Sequence, residues 1–352
     1  MSQFHPLKIK SIEKVTDKSV AISFDVPSSL SEKFRFEAGQ YITLKTEING
    51  EEVRRDYSIC SSKNSGELTV AVKAVENGTF SVYANEKLST GDLIDVAEPN
   101  GRFVFEANNA KTRTIAAFAA GSGITPILSV AKTLLEDEPF SNFILVYGNR
   151  SAKEAMFNND LMELKSTYGN RFHVHFIYSQ SQEVDALFGR IEKSTVNLIV
   201  KNKYKGVSIE KFYLCGPEQM IHTVKEVLLE NQIKESNILF ELFTAPTASE
   251  DNKKASVSDG NALIKVIVDD EEFEFEMPKS QSVLEASLKQ DIDAPYSCQG
   301  GICSSCIARI TDGEAEMRQN NILTDSEIAE GLILTCQAHP TSDSLVVDYD
   351  DV

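Results

Sequence analysis

The chain has little positive charge, no long apolar run, no internal repeat, and only six cysteines in 352 residues. Lys and Arg number 35 against 53 Asp and Glu, a formal net charge of −18. That balance argues against a nucleic-acid binder, because phosphates need a basic face to release their counterions. The first ten residues, MSQFHPLKIK, hold no apolar run long enough for a signal sequence. The most apolar stretch, TIAAFAAGSGITPILSVA at 114–131, is broken by Gly-Ser-Gly and a proline, which suits a strand turning into a helix better than a membrane span. A soluble cytoplasmic protein with no nucleic-acid or membrane partner is expected. Nothing points to the oxidising compartment that a disulfide framework requires.

What is present is unevenly spread. Residues 261–352 hold 19 Asp and Glu and 5 Lys and Arg, a net of −14, so the first 260 residues carry only −4. The acidity belongs to one region, either as the solvated surface of a soluble domain or as a docking face for a basic partner. The length allows two or three domains. Short alternating segments such as SVAISFDV, QYITLKT and ELTVAVKAV fill 7–105 and read as antiparallel strands of a barrel or sandwich. From 112 to 243 apolar runs (TIAAFAA, FILVYG, HVHFIYS, FYLCG, ILFELF) alternate with helical ones, including 126–136 and 217–231, as in βα units of a parallel sheet. Residues 246–261, PTASEDNKKASVSDGN, are polar and aperiodic, the composition of a linker. Beyond them ALIKVIVDDEEFEFEM reads as a hairpin and SVLEASLKQ as a short helix capped by Ser282. The expected division is therefore 1–108, 109–245, the linker 246–261, and 262–352.

Four of the six cysteines fall in the last segment. Cys298, Cys303, Cys306 and Cys336 give C-x4-C-x2-C, then 29 residues, then the fourth Cys. This is the plant-type [2Fe–2S] ligand spacing: two irons bridged by two sulfides each need two further soft ligands to complete a tetrahedron. Gly300 and Gly301 let the loop wrap tightly and aim backbone N–H groups at sulfur. A zinc site would show a second short-spaced pair, which is missing here. His339 is read as a surface residue, since cysteines already fill all four ligand positions. Residues 262–352 resemble plant-type ferredoxins, which implies an α+β, β-grasp-like domain.

The remaining 260 residues carry three further motifs. Arg55, Tyr57 and Ser58 form R-x-Y-S within RRDYSICSS. Gly78, Thr79 and Ser81 form a G-x-x-S turn before the helical SVYANEKL, with Lys73 on the strand before it. A guanidinium grips phosphate in bidentate fashion, a Tyr face offers stacking area, and a helix N-terminus favours an anion. In AAGSGITPILS, Gly121 and Gly123 are followed by Thr125 and Pro126, where a Rossmann fingerprint would need a third glycine at 126. Thr125 is a sensible N-cap and Pro126 a sensible first helical residue. Cys215, Gly216 and Pro217 follow the strand FYLC.

Together these motifs resemble the ferredoxin–NADP reductase family. The resemblance implies that Arg55 pairs with flavin pyrophosphate, that Tyr57 packs on the isoalloxazine and that Ser58 bonds near flavin N5. It also places Gly78, Thr79 and Ser81 at phosphate, Gly121 and Gly123 close to the nicotinamide dinucleotide, and Cys215, Gly216 and Pro217 beside the nicotinamide ring. The adenosine ribose falls in the loop NRSAKE, where Arg150, Ser151 and Lys153 offer a 2′-phosphate site and so favour NADPH over NADH; the bland alternative is a solvated basic loop. Lys73 joins this cofactor-binding set, although a solvated strand position would also account for it. Cys60 is read as core, and His173 and His175 as structural.

A hydride carries two electrons and an iron–sulfur cluster accepts one, so a flavin between them converts the two-electron step into single ones. The order of flavin, nucleotide and ferredoxin segments resembles the reductase components of multicomponent bacterial oxygenases. Among these, RRDYSICSS, YLCGPEQMI and ILTCQAHPTSDSLVVDYDD resemble the phenylacetyl-CoA epoxidase reductases; ketosteroid hydroxylase and aromatic-ring hydroxylase reductases share the layout. The continuous flavin motifs favour FAD over FMN. An oxygenase component is the expected partner, docking at the acidic last domain. A redox-sensing regulatory flavoprotein is the reading from another class; it would carry an effector module, and no such segment is found.

Overall fold

A computed structural model describes residues 3–243 and 260–352. Two compact units result, one spanning Phe4–Phe243 and the other lying in the C-terminal part of the chain.

The first unit holds two sheets. Strands β1 (Phe4–Thr16), β2 (Ser19–Asp25), β3 (Tyr41–Ile48), β4 (Glu51–Ser58), β5 (Leu68–Lys73) and β6 (Leu93–Ala97) form an antiparallel sheet in the order β4-β3-β6-β1-β2-β5. A bridge between Ile59 and Val70 links its two ends and closes the barrel. The β3–β4 hairpin turns on Asn49-Gly50, both left-handed (φ 57° and 84°), which matches the twist of the flanking strands. Helix α1 (Thr79–Glu86) follows β5, with Gly78 as its N-cap.

The second sheet is all parallel. It contains β7 (Thr114–Ala120), β8 (Asn142–Asn149), β9 (Phe172–Tyr178), β10 (Ala186–Phe188), β11 (Ile209–Cys215) and β12 (Ile238–Glu241), in the order β10-β9-β8-β7-β11-β12. Its helices are α2 (Ile124–Asp137), α3 (Asn158–Tyr168), α4 (Lys193–Asn197) and α5 (Glu218–Glu230). Strands covered on both faces read as continuous apolar runs, and TIAAFAA is one of them. The order reverses between β7 and β11, and a crevice opens at such a switch point beyond the carboxyl ends of the strands.

Barrel and parallel sheet share a core. Phe103 and Phe105 pack with Ile115, Ala117 and Tyr213. The Phe103 and Tyr213 rings meet edge to face at 5.2 Å, and Tyr213 Oη donates to Val104 O at 2.9 Å. Glu138 is fully buried, and Arg113 Nη2 reaches its Oε1 at 2.6 Å. Cys60 lies in this shared core, 3% exposed.

The C-terminal unit is a mixed sheet of β13 (Asn261–Val268), β14 (Glu271–Pro278), β15 (Ile307–Met317), β16 (Leu332–Leu334) and β17 (Ala338–Asp348), ordered β14-β13-β17-β15-β16. Only β13 and β17 run parallel. Helices α6 (Val283–Lys289) and α7 (Asp325–Ala329) accompany it, and Ser282 caps α6 by accepting from Glu285 N.

Several details depart from the sequence reading. Helix α2 starts at Ile124, so Thr125 sits inside its first turn, where Oγ1 donates to Ser122 O at 3.0 Å, and is not the N-cap. Helix α1 starts at Thr79, two residues before SVYANEKL. Residues 246–259 of the expected linker lie outside the described residues, and Asn261 is already the first residue of β13. His339 is half-buried on β17 with Nδ1 enclosed, so it is not the surface residue expected from its spacing. His175 meets Tyr204 Oη at 2.8 Å and Lys203 Nζ at 3.2 Å; burial first, then Lys203, pushes it down to about 4. Among the described residues no helix is long and apolar enough to cross a membrane.

Candidate functional site

The flavin motif lies on the last half of β4. Alternation along the strand puts Arg55 and Tyr57 on one face and buries Arg54 and Ser58 on the other. Arg55 is exposed, and among the described residues its Nη1 donates only to the carbonyl of Arg54. Its guanidinium retains free N–H groups, as a phosphate ligand must. The Tyr57 ring rests on Phe80 of α1 at 5.4 Å between centroids, which fixes its plane, and burial raises its phenol well above the usual value. Ser81 turns inward, its Oγ accepting from Val75 N at 3.2 Å, so its hydroxyl first of all fixes the turn that brings in α1.

Ser58 has a partner that no motif marked. Its Oγ donates to Glu241 Oε2 at 3.0 Å, across 183 positions of sequence. Glu241 ends β12 and pairs with Cys215 in the parallel register. Burial pushes the Glu241 carboxyl up to about 8, against the opposing hydrogen bond from Ser58. Burial, and then the charge of Glu241, lifts the fully buried Cys215 thiol well above its usual value. Ser58, Cys215 and Glu241 thus converge from the barrel and from two adjacent strands of the parallel sheet. At neutral pH the thiol is protonated, and the carboxyl is poised to hold or yield a proton.

Beyond the carboxyl ends of β7, β8 and β11 lies a cavity of about 780 Å³, lined by Gly121, Lys73, Arg150 and Pro217 among others. These four come from four separate motifs. Lys18 and Arg190 also line it, two cations that sequence reasoning missed, together with Glu154 and Glu192. Lys73 is half-buried here, its ammonium lowered chiefly by burial. Gly121 is left-handed (φ 57°), and Tyr147 Oη donates to its carbonyl at 2.9 Å. Gly123 serves packing: a Cβ there would stand 2.1 Å from Cys215 O, so its bare Cα lets α2 meet the end of β11. Ser151 precedes the 3-10 turn 152–154, and neither it nor Gly216 is among the residues lining the cavity.

In the C-terminal unit the four cysteines stand as two pairs. Cys298 shares a hydrogen bond with Cys303, and Cys306 with Cys336. Gly300 N–H points at Cys298 Sγ, 3.3 Å away. The Cys303 contact first, then N–H groups of Gly300, Ile302 and Cys303, hold the Cys298 thiol below its usual value against burial. Gly301 is left-handed (φ 71°), and a Cβ on it would stand 3.0 Å from Gln319 O. Among the described residues no three His, Cys, Asp or Glu side chains converge on a single-ion position. Two thiol pairs bathed in backbone N–H groups suit a binuclear cluster, with two thiolates per iron, better than one tetrahedral zinc.

A crevice at the switch point of a parallel sheet, an R-x-Y-S strand on a barrel and a four-cysteine loop further along the chain suit a modular flavin and iron–sulfur reductase. Residues 6–105 match the oxidoreductase FAD-binding domain, 118–226 the oxidoreductase NAD-binding domain and 266–341 the 2Fe-2S iron-sulfur cluster binding domain. The chain is 37% identical over 352 residues to a 1,2-phenylacetyl-CoA epoxidase component of Escherichia coli (strain K12), covering 99% of each. It is 30% identical to the ferredoxin reductase component of 3-ketosteroid-9-alpha-monooxygenase of Rhodococcus rhodochrous, covering 97% of this chain and 96% of that one. Among solved structures, phthalate dioxygenase reductase superposes with a TM-score of 0.61 at 26% identity, over 98% of both chains. The chain belongs to the family of oxygenase reductases built from these three domains, and it passes electrons from NAD(P)H through FAD to a [2Fe–2S] cluster and on to an oxygenase component.

Proposed function

We propose that the oxygenase served by this chain is of the phenylacetyl-CoA epoxidase kind. The observation that carries this reading is 37% identity along the whole length of the epoxidase component, against 30% for the ketosteroid reductase component. Affinity purification of the chain from its own cells tests it. The expected result is an oxygenase that co-purifies and consumes phenylacetyl-CoA with NAD(P)H. An oxygenase that ignores phenylacetyl-CoA and hydroxylates a steroid or an aromatic ring would replace this reading with the alternative.

The division of labour follows 1–108 for flavin, 109–245 for nucleotide, 246–261 as linker and 262–352 for the cluster. The bound groups supply hydride acceptance and one-electron release; the chain supplies position and an acceptor for the proton that remains once both electrons have left singly. Arg55 with Gly78 and Thr79 at the start of α1 holds pyrophosphate, Tyr57 covers the ring system, and Lys73 and Gly121 meet the nucleotide. Gly123, Thr125 and Pro126 shape the turn, and Gly216 and Pro217 shape the nicotinamide edge. Ser58 Oγ and Glu241 Oε2 share a proton beside the buried, neutral Cys215. Cys298, Cys303, Cys306 and Cys336 are the cluster ligands. A reducing, cytoplasmic compartment belongs to the same reading, because it keeps those thiols available.

NADPH is the preferred donor in this reading, with Arg150 supported by Ser151 at the 2′-phosphate. Arg150→Ala is expected to raise KM for NADPH about tenfold, the loss of one charge-assisted contact, and KM for NADH much less. Steady-state kinetics with both donors checks this. An unchanged ratio of the two removes the loop from the specificity argument.

Docking of the oxygenase at the acidic C-terminal unit is a separate proposal. Asp312, Glu314 and Glu316 are exposed along β15, and Asp325 and Glu330 at α7. Asn321 N donates to Gly301 O at 3.2 Å, so this acidic stretch reaches the cysteine loop itself. Oxygenase-linked turnover should fall as salt rises toward and beyond about 0.1 M, where the screening length is only about 10 Å. Ferricyanide reduction should respond far less, because hydride transfer occurs within one chain. Parallel salt curves, or turnover indifferent to neutralisation of these acids, would leave the acidity to solubility.

A further inference from the structure

Thr335, one residue before Cys336, is completely buried and fully bonded. Its N–H and its Oγ1 both donate to the carbonyl of Cys306, each at 3.0 Å. Its own carbonyl accepts from Leu284 N in α6 at 3.0 Å. Its hydroxyl oxygen also accepts, from Tyr349 Oη at 2.9 Å. Tyr349 is buried too, 6% exposed, and its N–H donates to Ile267 O at the end of β13 at 2.9 Å. A directed chain of bonds therefore runs from the sheet through Tyr349 and Thr335 to the backbone of Cys306.

That chain joins two cysteines whose thiols share a hydrogen bond but which are separated by 29 residues. Cys306 and Cys336 are the two buried cysteines of the four, whereas Cys298 and Cys303 are partly exposed. With the Tyr349 proton on Thr335 Oγ1, the Thr335 hydroxyl proton is committed to the Cys306 carbonyl and cannot rotate toward a sulfur. We propose that Tyr349 and Thr335 are positioning residues for the cluster, a relay that holds the Cys306 and Cys336 backbones in the one arrangement their shared iron requires. The proposal rests on the reading of the four cysteines as ligands.

The experiment uses the full-length holoprotein with three variants, Tyr349→Phe, Thr335→Val and Thr335→Ser. Three properties are measured: iron release to a chelator, the electron paramagnetic resonance spectrum of the reduced cluster, and its midpoint potential. Removing one buried hydrogen bond in Tyr349→Phe should speed iron release about fivefold and shift the spectrum. Thr335→Val removes the hydroxyl at nearly constant volume and should speed release about twentyfold, while Thr335→Ser stays within about twofold of the parent. Ferricyanide reduction at the flavin should be unchanged in all three. If Tyr349→Phe and Thr335→Val lower the melting temperature but leave spectrum, potential and iron release at parent values, the relay is mere packing and the proposal fails. A parent protein without iron would instead overturn the ligand reading on which it rests.

Discussion

Cys303→Ser is expected to reduce cytochrome c reduction to background while leaving ferricyanide reduction at the flavin close to the parent rate. The parent should hold about two irons and one flavin per chain, and the variant should keep the flavin while losing most of its iron. The reason is local. Cys303 pairs with Cys298 in the partly exposed half of the cradle, and serine offers a harder, less acidic ligand in place of a thiolate. The two activities separate because the flavin and nucleotide motifs all lie in the Phe4–Phe243 unit, and Cys298, Cys303, Cys306 and Cys336 in the other. Equal loss of both activities, with flavin content intact, would contradict an electron path in which the cluster comes last.

The second large effect concerns a proton. Glu241→Gln should slow reoxidation of the NADPH-reduced flavin by the cluster about a hundredfold, the usual size of one general acid–base contribution, because hydrogen delivered as hydride must leave as a proton once its electrons depart singly. Ser58→Ala should cost a similar factor, and the double variant little more than either, because the two share one hydrogen bond. Stopped-flow recovery of flavin absorbance after reduction by NADPH, with cytochrome c as the final acceptor, checks this across a pH series. In the parent, the rate should change around pH 8, where the Glu241 carboxyl titrates, and the step should vanish in Glu241→Gln.

Stability gives an independent sign. The folded carboxyl titrates near 8 and an unfolded one near 4.5, so between these values the folded state binds more protons. It therefore gains stability from this group as pH falls through that window and loses it as pH rises. Glu241→Gln should flatten that slope. A parent pH profile with no step near 8, unchanged in the variant, would remove Glu241 from the chemistry.

Much of this could be read in the sequence, for identifiable reasons. The cysteine spacing encodes ligand number and loop geometry directly, and strands buried on both faces leave unmistakable apolar runs such as FILVYG. Glu241 was missed because its meaning is non-local. In ILFELF it is one acid in an apolar strand, and only the fold brings it to Ser58. That lone acid was the available signal. Gly123 was visible as a glycine, but sequence cannot say that its bare Cα makes room for the carbonyl of Cys215. Lys18 and Arg190 carried no motif and line the cavity at the ends of β7, β8 and β11 from a barrel turn and a loop distant in sequence. Thr125 looked like a cap because Thr-Pro is a good helix opening, yet the 3-10 turn at Gly121–Gly123 lets the helix begin earlier.

The central claim is that one chain carries electrons in a fixed order, from nicotinamide to flavin to cluster. Anaerobic mixing of the parent protein with one equivalent of NADPH, followed by flavin absorbance and by freeze-quenched electron paramagnetic resonance, tests that order most directly. Flavin bleaching should come first and the signal of the reduced cluster should rise after it, at a rate independent of protein concentration. A cluster signal that precedes flavin bleaching, or that rises only in proportion to protein concentration, would contradict the account.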